Sequence, residues 1–301
     1  MSRSASSALS RRQRGAAAVF IAPFLILFLA TTIVPVGYAV WLSLYSEQTS
    51  GLGFGGAETV FVGLDNFTRA LGSESFRDGF VTVGLYCAVY IPVMIGAALL
   101  LALLLDSAYA RAKRFFQLAL YLPNVIPGLI AATIWFYLYT PGLSPVVDVF
   151  ESLGLGWDIN SYGAALGAIA NIAIWQHTGY NVIIFFAALQ AIPREVIEAA
   201  TVDGAGAVRT ALKVKAPLIR GALVLAVLFT VIGAMQLFTE PQIIRTESAA
   251  IGGEWTPAMF IYTAVAERHD YGQAAAASII FAVVLGAASF VVTRFTSRRA
   301  A

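Results

Sequence analysis

The sequence predicts an all-α integral membrane protein with six transmembrane helices, on three observations. The first is composition: of 301 residues, 59% are hydrophobic and only 12% charged, with a mean hydropathy of +0.78, far too apolar for a soluble domain of this size. The second is segmentation. Spanning a bilayer takes roughly 20 consecutive apolar residues per helix, and the stretches free of Asp, Glu, Lys and Arg that reach that length are Gly15–Ser46, Gly79–Leu105, Phe115–Val147, Ile159–Pro193, Gly221–Thr239 and Tyr271–Thr293. The third is charge placement, because Lys and Arg resist translocation. Of the 19 basic residues, 15 fall in alternate polar segments, the first, third, fifth and seventh, and only Arg69, Arg77, Arg245 and Arg268 lie on the other side. Both termini and the long segment after the fourth span are therefore expected in the cytoplasm.

The first span, about 16–44, follows a basic tail over 1–15 that holds Arg3, Arg11, Arg12 and Arg14. It resembles a signal peptide in outline but is too long, and no small-residue cleavage site follows before Trp41, so it reads as a retained helix kinked at Pro35. The second, about 80–105, carries Cys87, the sole cysteine. No disulfide within the chain is possible, and a core cysteine is the reading. The third, about 116–140, contains Pro123 and Pro127, and the fourth occupies about 164–190. The fifth and sixth run about 221–239 and 272–293, making 16–296 one membrane domain followed by a short cytoplasmic tail, 297–301. Between spans on the outer side, Ser46–Asp78 has room for a short amphipathic element, Asp148–Asp158 is a tight acidic loop, and Glu240–Asp270 carries Pro241, Gly252, Gly253 and Pro257. No internal repeat of the kind that marks many single-chain secondary transporters is visible.

Chemistry-bearing motifs are scarce. The chain has no G-x-x-x-x-G-K-[ST] phosphate loop, so it should not hydrolyse ATP itself. His177 and His269 lack the companions of a metal site, and no span contains an ionisable group able to serve an intramembrane enzyme apart from His177. The net charge of +2 is an orientation signal and gives no nucleic-acid surface.

The cytoplasmic stretch 192–220 stands apart as a long charged segment between two apolar blocks. Pro193 opens a helix from Arg194 to Val202, Asp203 and Gly204 stop it at a sharp turn, and a second helix from about Ala207 to Lys215 leads to Pro217. Ala199 and Ala200 offer a flat surface for close approach, with Glu198 as an acceptor beside them. An amphipathic linker lying on lipid headgroups would want Trp or Phe anchors, and the segment has none.

At these residues the sequence resembles a known family. "EAATVDGAGAVRTALKVKAP" is similar to the cytoplasmic signature loop of permease subunits of binding-protein-dependent ABC importers, E-A-A, three residues, G, nine residues, I-x-L-P. Glu198, Ala199, Ala200, Gly204 and Pro217 match in register, whereas Val214 and Ala216 stand where Ile and Leu are usual. "FVGLDNF", "YLPNVIPGLIAATIWFYLY", "LQAIPREVIEAATVDGA" and "DYGQAAAASIIF" resemble the carbohydrate-uptake branch, in the same order. The fifth loop departs, reading "RTESAAIGGEWTP" in place of a T-G-G-P-like turn. The resemblance implies a type I ABC importer permease fold in the bacterial plasma (inner) membrane, multi-pass and surrounded by membrane lipid. It implies that Glu198, Ala199, Ala200, Asp203, Gly204 and Pro217 seat a coupling helix in a separate ATPase. Its expected partners are a second related permease, two ABC ATPase subunits carrying ATP and Mg, and an extracytoplasmic substrate-binding protein, with no cofactor on this chain.

Uncharged polar side chains in spans tend to face the bundle or a water-filled route. His177, Tyr180 and Asn181 share a helical face of the fourth span, with Gln176 beside it; Asn124 lies between Pro123 and Pro127, where an opened backbone commonly lines a cavity; Thr230 and Gln236 occupy the fifth span. These are the expected substrate-route residues, the alternative being that they join helices by interhelical hydrogen bonds. A route of amides, hydroxyls and aromatics without fixed charge suits a neutral sugar. Glycerol phosphate or a related polyol is the alternative substrate, and a single-chain secondary transporter or a membrane scaffold the competing class.

Overall fold

The computed structural model describes residues 18–49, 57–140, 142–154, 158–246 and 248–297; the basic tail 1–15 and residues 298–301 lie outside the described residues. The chain is mostly helical. Its helices, in order, are α1 (Ala18–Ser43), α2 (Asp65–Gly72), α3 (Glu74–Asp106), α4 (Lys113–Val125), α5 (Gly128–Tyr139), α6 (Pro145–Ser152), α7 (Tyr162–Gln190) and α8 (Arg194–Val202). There follow α9, composed of Ala207–Thr210, Ala211–Lys215 and Ala216–Leu218, then α10 (Arg220–Met235), α11 (Thr239–Ile244), α12 (Pro257–Ala266) and α13 (Tyr271–Ser297). Strands β1 (Tyr45–Thr49) and β2 (Ala57–Phe61) pair antiparallel, Tyr45 opposite Phe61. This ribbon is the one departure from the all-α expectation among the described residues. Asp148, expected in a loop, sits inside α6.

Among the described residues five helices are long and apolar enough to cross a membrane, and α4 with α5 forms a sixth candidate broken by a 95° bend. The third span, expected as one helix over 116–140, is thus two. Pro127 supplies the break: it cannot donate a helical N–H and it holds the residue before it extended, as Ile126 is, with φ −73° and ψ 127°. Elsewhere proline acts more gently. A π-type turn, Leu29–Ile33, precedes Pro35, and a second, Ala211–Lys215, precedes Pro217. In each, the missing proline donor and the ring's clash with the carbonyl four residues back are absorbed by a widened turn. The expected kink at Pro35 takes this form.

The contacts divide the chain into two units, residues 1–72 with 264–280, and residues 73–263 with 281–301. In the first unit, motifs from opposite ends of the sequence meet. Gly63 turns the chain at φ +59° after β2, and the fully buried Asn66 donates through Nδ2 to the carbonyls of Ser43 and Tyr45, both at 2.8 Å. These close the end of α1. Arg69 donates to Asn66 Oδ1 at 2.7 Å and to Asp270 Oδ2 at 2.9 Å, and Asp270 Oδ1 caps α13 by accepting from the Gln273 N–H at 3.0 Å. Gly272 is needed here, because a Cβ would stand 2.4 Å from the Tyr45 carbonyl oxygen.

In the second unit α3 and α7 form the centre. The buried residues of α3 include Tyr86, Tyr90, Met94, Ala98, Ala102 and Leu105, spaced as one stripe along a helix that is apolar all round. Small residues in that stripe let the α7 residues Val182, Phe185 and Leu189 pack closely, as lipid-embedded helices require. The outlying segment "RTESAAIGGEWTP" is tied in by Ser248 Oγ donating to the Ile159 carbonyl at 2.7 Å and by Thr256 Oγ1 donating to the Leu237 carbonyl at 2.9 Å.

Candidate functional site

Two features of the second unit could serve function: the exposed helix–turn–helix α8–α9, and a cavity bounded by α3, α7, α10 and α11.

The helix–turn–helix is built by local rules. α8 ends in a Schellman turn: the Gly204 N–H donates to the Thr201 carbonyl and the Ala205 N–H to the Ala200 carbonyl, both at 3.0 Å, with Gly204 at φ +78°. Only glycine adopts that left-handed position without strain. A Cβ there would meet nothing within 4 Å, so glycine is required by backbone conformation and not by crowding within this chain. No residue of α8 is buried; Glu198, Ala199, Asp203 and Pro217 are exposed and Ala200 half-buried. Val202, Val208 and Leu212 are apolar and uncovered. These are uncharged anchors the sequence reading did not weigh, being smaller than Trp or Phe.

The Gly204 geometry leads to an expected result. Gly204→Ala should destabilise the turn by about 1–2 kcal/mol, whereas Gly204→Asn, which tolerates the left-handed region, should retain most function. Equal loss in both, read as ATPase activity of the assembled complex, would mean that bulk at this point matters and the turn does not.

A clamp fixes the helix–turn–helix to the bundle. Asp106, the last residue of α3, accepts at Oδ2 from Lys215 Nζ and at Oδ1 from Gln190 Nε2, each at 2.5 Å. Gln190 ends α7 and Lys215 precedes Pro217, so one carboxylate holds both ends of the segment 192–220. The side chains of Lys215 and Asp106 are 20% and 9% exposed.

The cavity has a volume of about 460 Å³, within the roughly 300–1,000 Å³ usual for small-molecule sites. It brings together His177, Tyr180, Asn181, Thr230 and Gln236. Thr230 Oγ1 donates to the Ala226 carbonyl at 2.7 Å and Gln236 Nε2 to the Ile232 carbonyl at 3.0 Å. His177 Nδ1 bonds the Ala173 carbonyl at 3.0 Å; since a carbonyl only accepts, Nδ1 carries the proton. Each bond lies within the residue's own helix, four residues back. Asn181 does the same toward His177 and adds a contact from Nδ2 to Met94 Sδ at 3.3 Å. Interhelical hydrogen bonding is therefore not what occupies these groups, apart from that one to sulfur.

The structure sets the other two expected route residues elsewhere. Gln176 donates through Nε2 to the Ile126 carbonyl at 2.7 Å, satisfying a backbone acceptor freed by the break between α4 and α5. Asn124 is half-buried one turn before that break and does not line the cavity. The lining residues missed in the sequence include Tyr86 and Tyr90, stacked with centroids 5.1 Å apart, and Glu240. The i, i+4 tyrosine pair was a readable signal on a helix face. Glu240 closed the charge-free window at Thr239 and was taken for the start of a loop, whereas the helical run continues through α11 to Ile244.

A bundle of helices long and apolar enough to cross a membrane, bounding a cavity into which several polar side chains reach, with an exposed helix pair braced at one end, defines a multi-pass membrane protein. Residues 61–301 match the family described as "Binding-protein-dependent transport system inner membrane component", and the chain belongs to that family. It is an inner-membrane transport subunit and not itself an enzyme. It is 32% identical over 209 residues to the "sn-glycerol-3-phosphate transport system permease protein UgpA" of Salmonella choleraesuis (strain SC-B67), covering 69% of each chain. It is 33% identical over 186 residues to the protein of that name from Yersinia pseudotuberculosis serotype I (strain IP32953), covering 62% of this chain and 61% of that one. The fold is shared, at TM-score 0.80 and 19% identity over 95% of this chain and 96% of the other, with a crystal structure of "a bacterial ABC transporter involved in the import of the acidic polysaccharide alginate". A second structure of the alginate transporter, "in complex with alginate pentasaccharide-bound periplasmic protein", gives TM-score 0.78 at 19% identity, covering 96% of each chain.

Proposed function

We propose that this chain is the permease subunit of an ATP-driven importer and forms half of the translocation route for a sugar or oligosaccharide. The observation that carries the reading is the cavity itself. His177, Tyr180, Asn181, Thr230 and Gln236 line it, and the bonds of His177, Asn181, Thr230 and Gln236 run mainly to carbonyls four residues back, which leaves further donor and acceptor capacity for a solute. The stacked Tyr86 and Tyr90 add the flat apolar surface that a sugar ring can use. Relatives named for glycerol 3-phosphate and alginate transport support a polyhydroxylated substrate.

In this reading α8 and α9 form the coupling element. Glu198, Ala199, Ala200, Asp203, Gly204 and Pro217 seat it in a cleft of a separate ATPase, and Val202, Val208 and Leu212 become buried there. The 15-to-4 division of Lys and Arg supports a cytoplasmic position for segment 192–220 and both tails, with 16–296 as the type I membrane domain between them. The working assembly is this chain, a second related permease, two ATPase subunits that bind ATP and Mg, and an extracytoplasmic binding protein. This chain holds no cofactor.

The test is Glu198→Lys in the reconstituted assembly. Reversing a charge on a helix with no buried residue leaves the bundle intact, so complex yield should stay within about twofold of the parent, consistent with the small effects of surface substitutions. ATPase stimulation by the binding protein should fall about tenfold or more. Unchanged stimulation, or a native mass showing an active homodimer of this chain, would end the reading.

A further inference from the structure

The cavity that this reading treats as the solute route has a charge of its own. Glu240 lines it together with Tyr86 and Tyr90. Among the described residues no Lys or Arg lines the cavity and no cation forms an ion pair with Glu240. A carboxylate in the first turn of α11 is compatible with that helix's dipole, which explains why an acid is tolerated there but not why it faces the cavity. An unpaired, half-buried carboxylate near the end of the apolar helical run Arg220–Ile244 is costly to hold away from water.

We infer that Glu240 sets the charge selectivity of the route: it admits uncharged polyhydroxylated solutes, whose hydroxyls donate to the carboxylate, and excludes anionic ones. The inference rests on the cavity being the route. It separates this chain from the substrates named for its relatives, since glycerol 3-phosphate and alginate are both anionic and would meet a fixed negative charge with no cation to offset it. A hydroxyl donating to a carboxylate makes a charge-assisted bond, stronger than a neutral pair, whereas a phosphate or uronate would be repelled across a few ångströms of low-dielectric space. His177, with Nδ1 committed to the Ala173 carbonyl, presents its other ring nitrogen to the same hydroxylated solute.

Thiol labelling of the assembled importer in membranes tests this without a known substrate. Gln236→Cys is placed in a Cys87→Ala background, and its reaction rates with neutral methyl methanethiosulfonate and anionic sulfonatoethyl methanethiosulfonate are divided by those of 2-mercaptoethanol. The normalised preference for the neutral reagent should be about tenfold, the size expected for a unit charge acting over this range, and should fall to within about twofold on adding Glu240→Gln. If that variant fails to assemble, the same preference read at Thr230→Cys with Glu240 present decides the matter. A preference near one with Glu240 intact overturns the inference, whether a cation from a partner subunit cancels the charge or the solvent does. So does a preference that survives Glu240→Gln. Because labelling does not depend on ATP, its failure is distinguishable from failure of the importer reading, which is judged by the Glu198→Lys stimulation assay.

Discussion

Gly179→Ala is expected to abolish most of the assembled complex. Gly179 is a mid-helix residue of α7 facing α4, and a Cβ built on it would lie 1.8 Å from the Leu120 carbonyl oxygen and 2.3 Å from its carbon. Those are backbone atoms, which cannot swing aside as a side-chain tip can. Relief requires that α4 move by more than an ångström, and α4 is held through the nearby bond from Gln176 to the Ile126 carbonyl. Overpacking in a well-packed interior costs about 1–3 kcal/mol, occasionally more, and a methyl against immovable backbone belongs at the upper end. Gly167, on the same helix, has nothing within 4 Å of its Cβ position. Gly167→Ala should therefore be neutral, or stabilising by about 0.5–1 kcal/mol through helix propensity. Yield and thermal stability of the complex in detergent, compared for the pair, check this. Equal behaviour of the two variants would disprove the close approach of α4 and α7.

The second large effect is expected at Asp106. A carboxylate at the C-terminal end of α3 opposes that helix's dipole, so it is stabilised by Lys215 and Gln190 and not by its own helix. Asp106→Ala strands the Lys215 ammonium, only 20% exposed, at a cost toward the lower end of the roughly 3–5 kcal/mol for breaking a buried pair. The loss is local to the mounting of α8 and α9. Solute uptake per ATP hydrolysed should drop about tenfold while binding-protein-independent ATPase persists, and the charge-exchanged double variant Asp106→Lys with Lys215→Asp should recover part of it. An unchanged ratio in Asp106→Ala would show that the mounting does not transmit force.

Much of this was legible in the amino-acid order, for identifiable reasons. Span positions follow from a solvent that tolerates no charge, and the turn at Gly204 follows from the backbone conformation that glycine alone adopts freely. Helix rotation was harder: α3 and α7 are apolar on every face, so periodicity could not say which side meets protein and which meets lipid. The polar face of α7 was readable because His177, Tyr180 and Asn181 interrupt that uniformity. Gln176, adjacent in sequence, was grouped with them, but a residue beside a helical face points about 100° away, and it serves the break in the neighbouring span instead. Asp106 and Glu240 were missed for one reason. Each was read as the end of an apolar window, Gly79–Leu105 or Gly221–Thr239, yet each lies on a helix, Asp106 paired with Lys215 and Glu240 lining the cavity, and no hydropathy pattern registers either placement.

The bond from Gln176 to the Ile126 carbonyl also has a temporal side. Its partners are 50 residues apart, and a ribosome making roughly 5–20 residues per second takes about 3–10 s to emit the second after the first. If the bend at Pro127 is already present during that interval, the third span has an acceptor that hydrocarbon cannot satisfy. Partition of that segment into lipid is therefore disfavoured until α7 arrives, so the two segments should leave the insertion machinery together, as a pair released in one step.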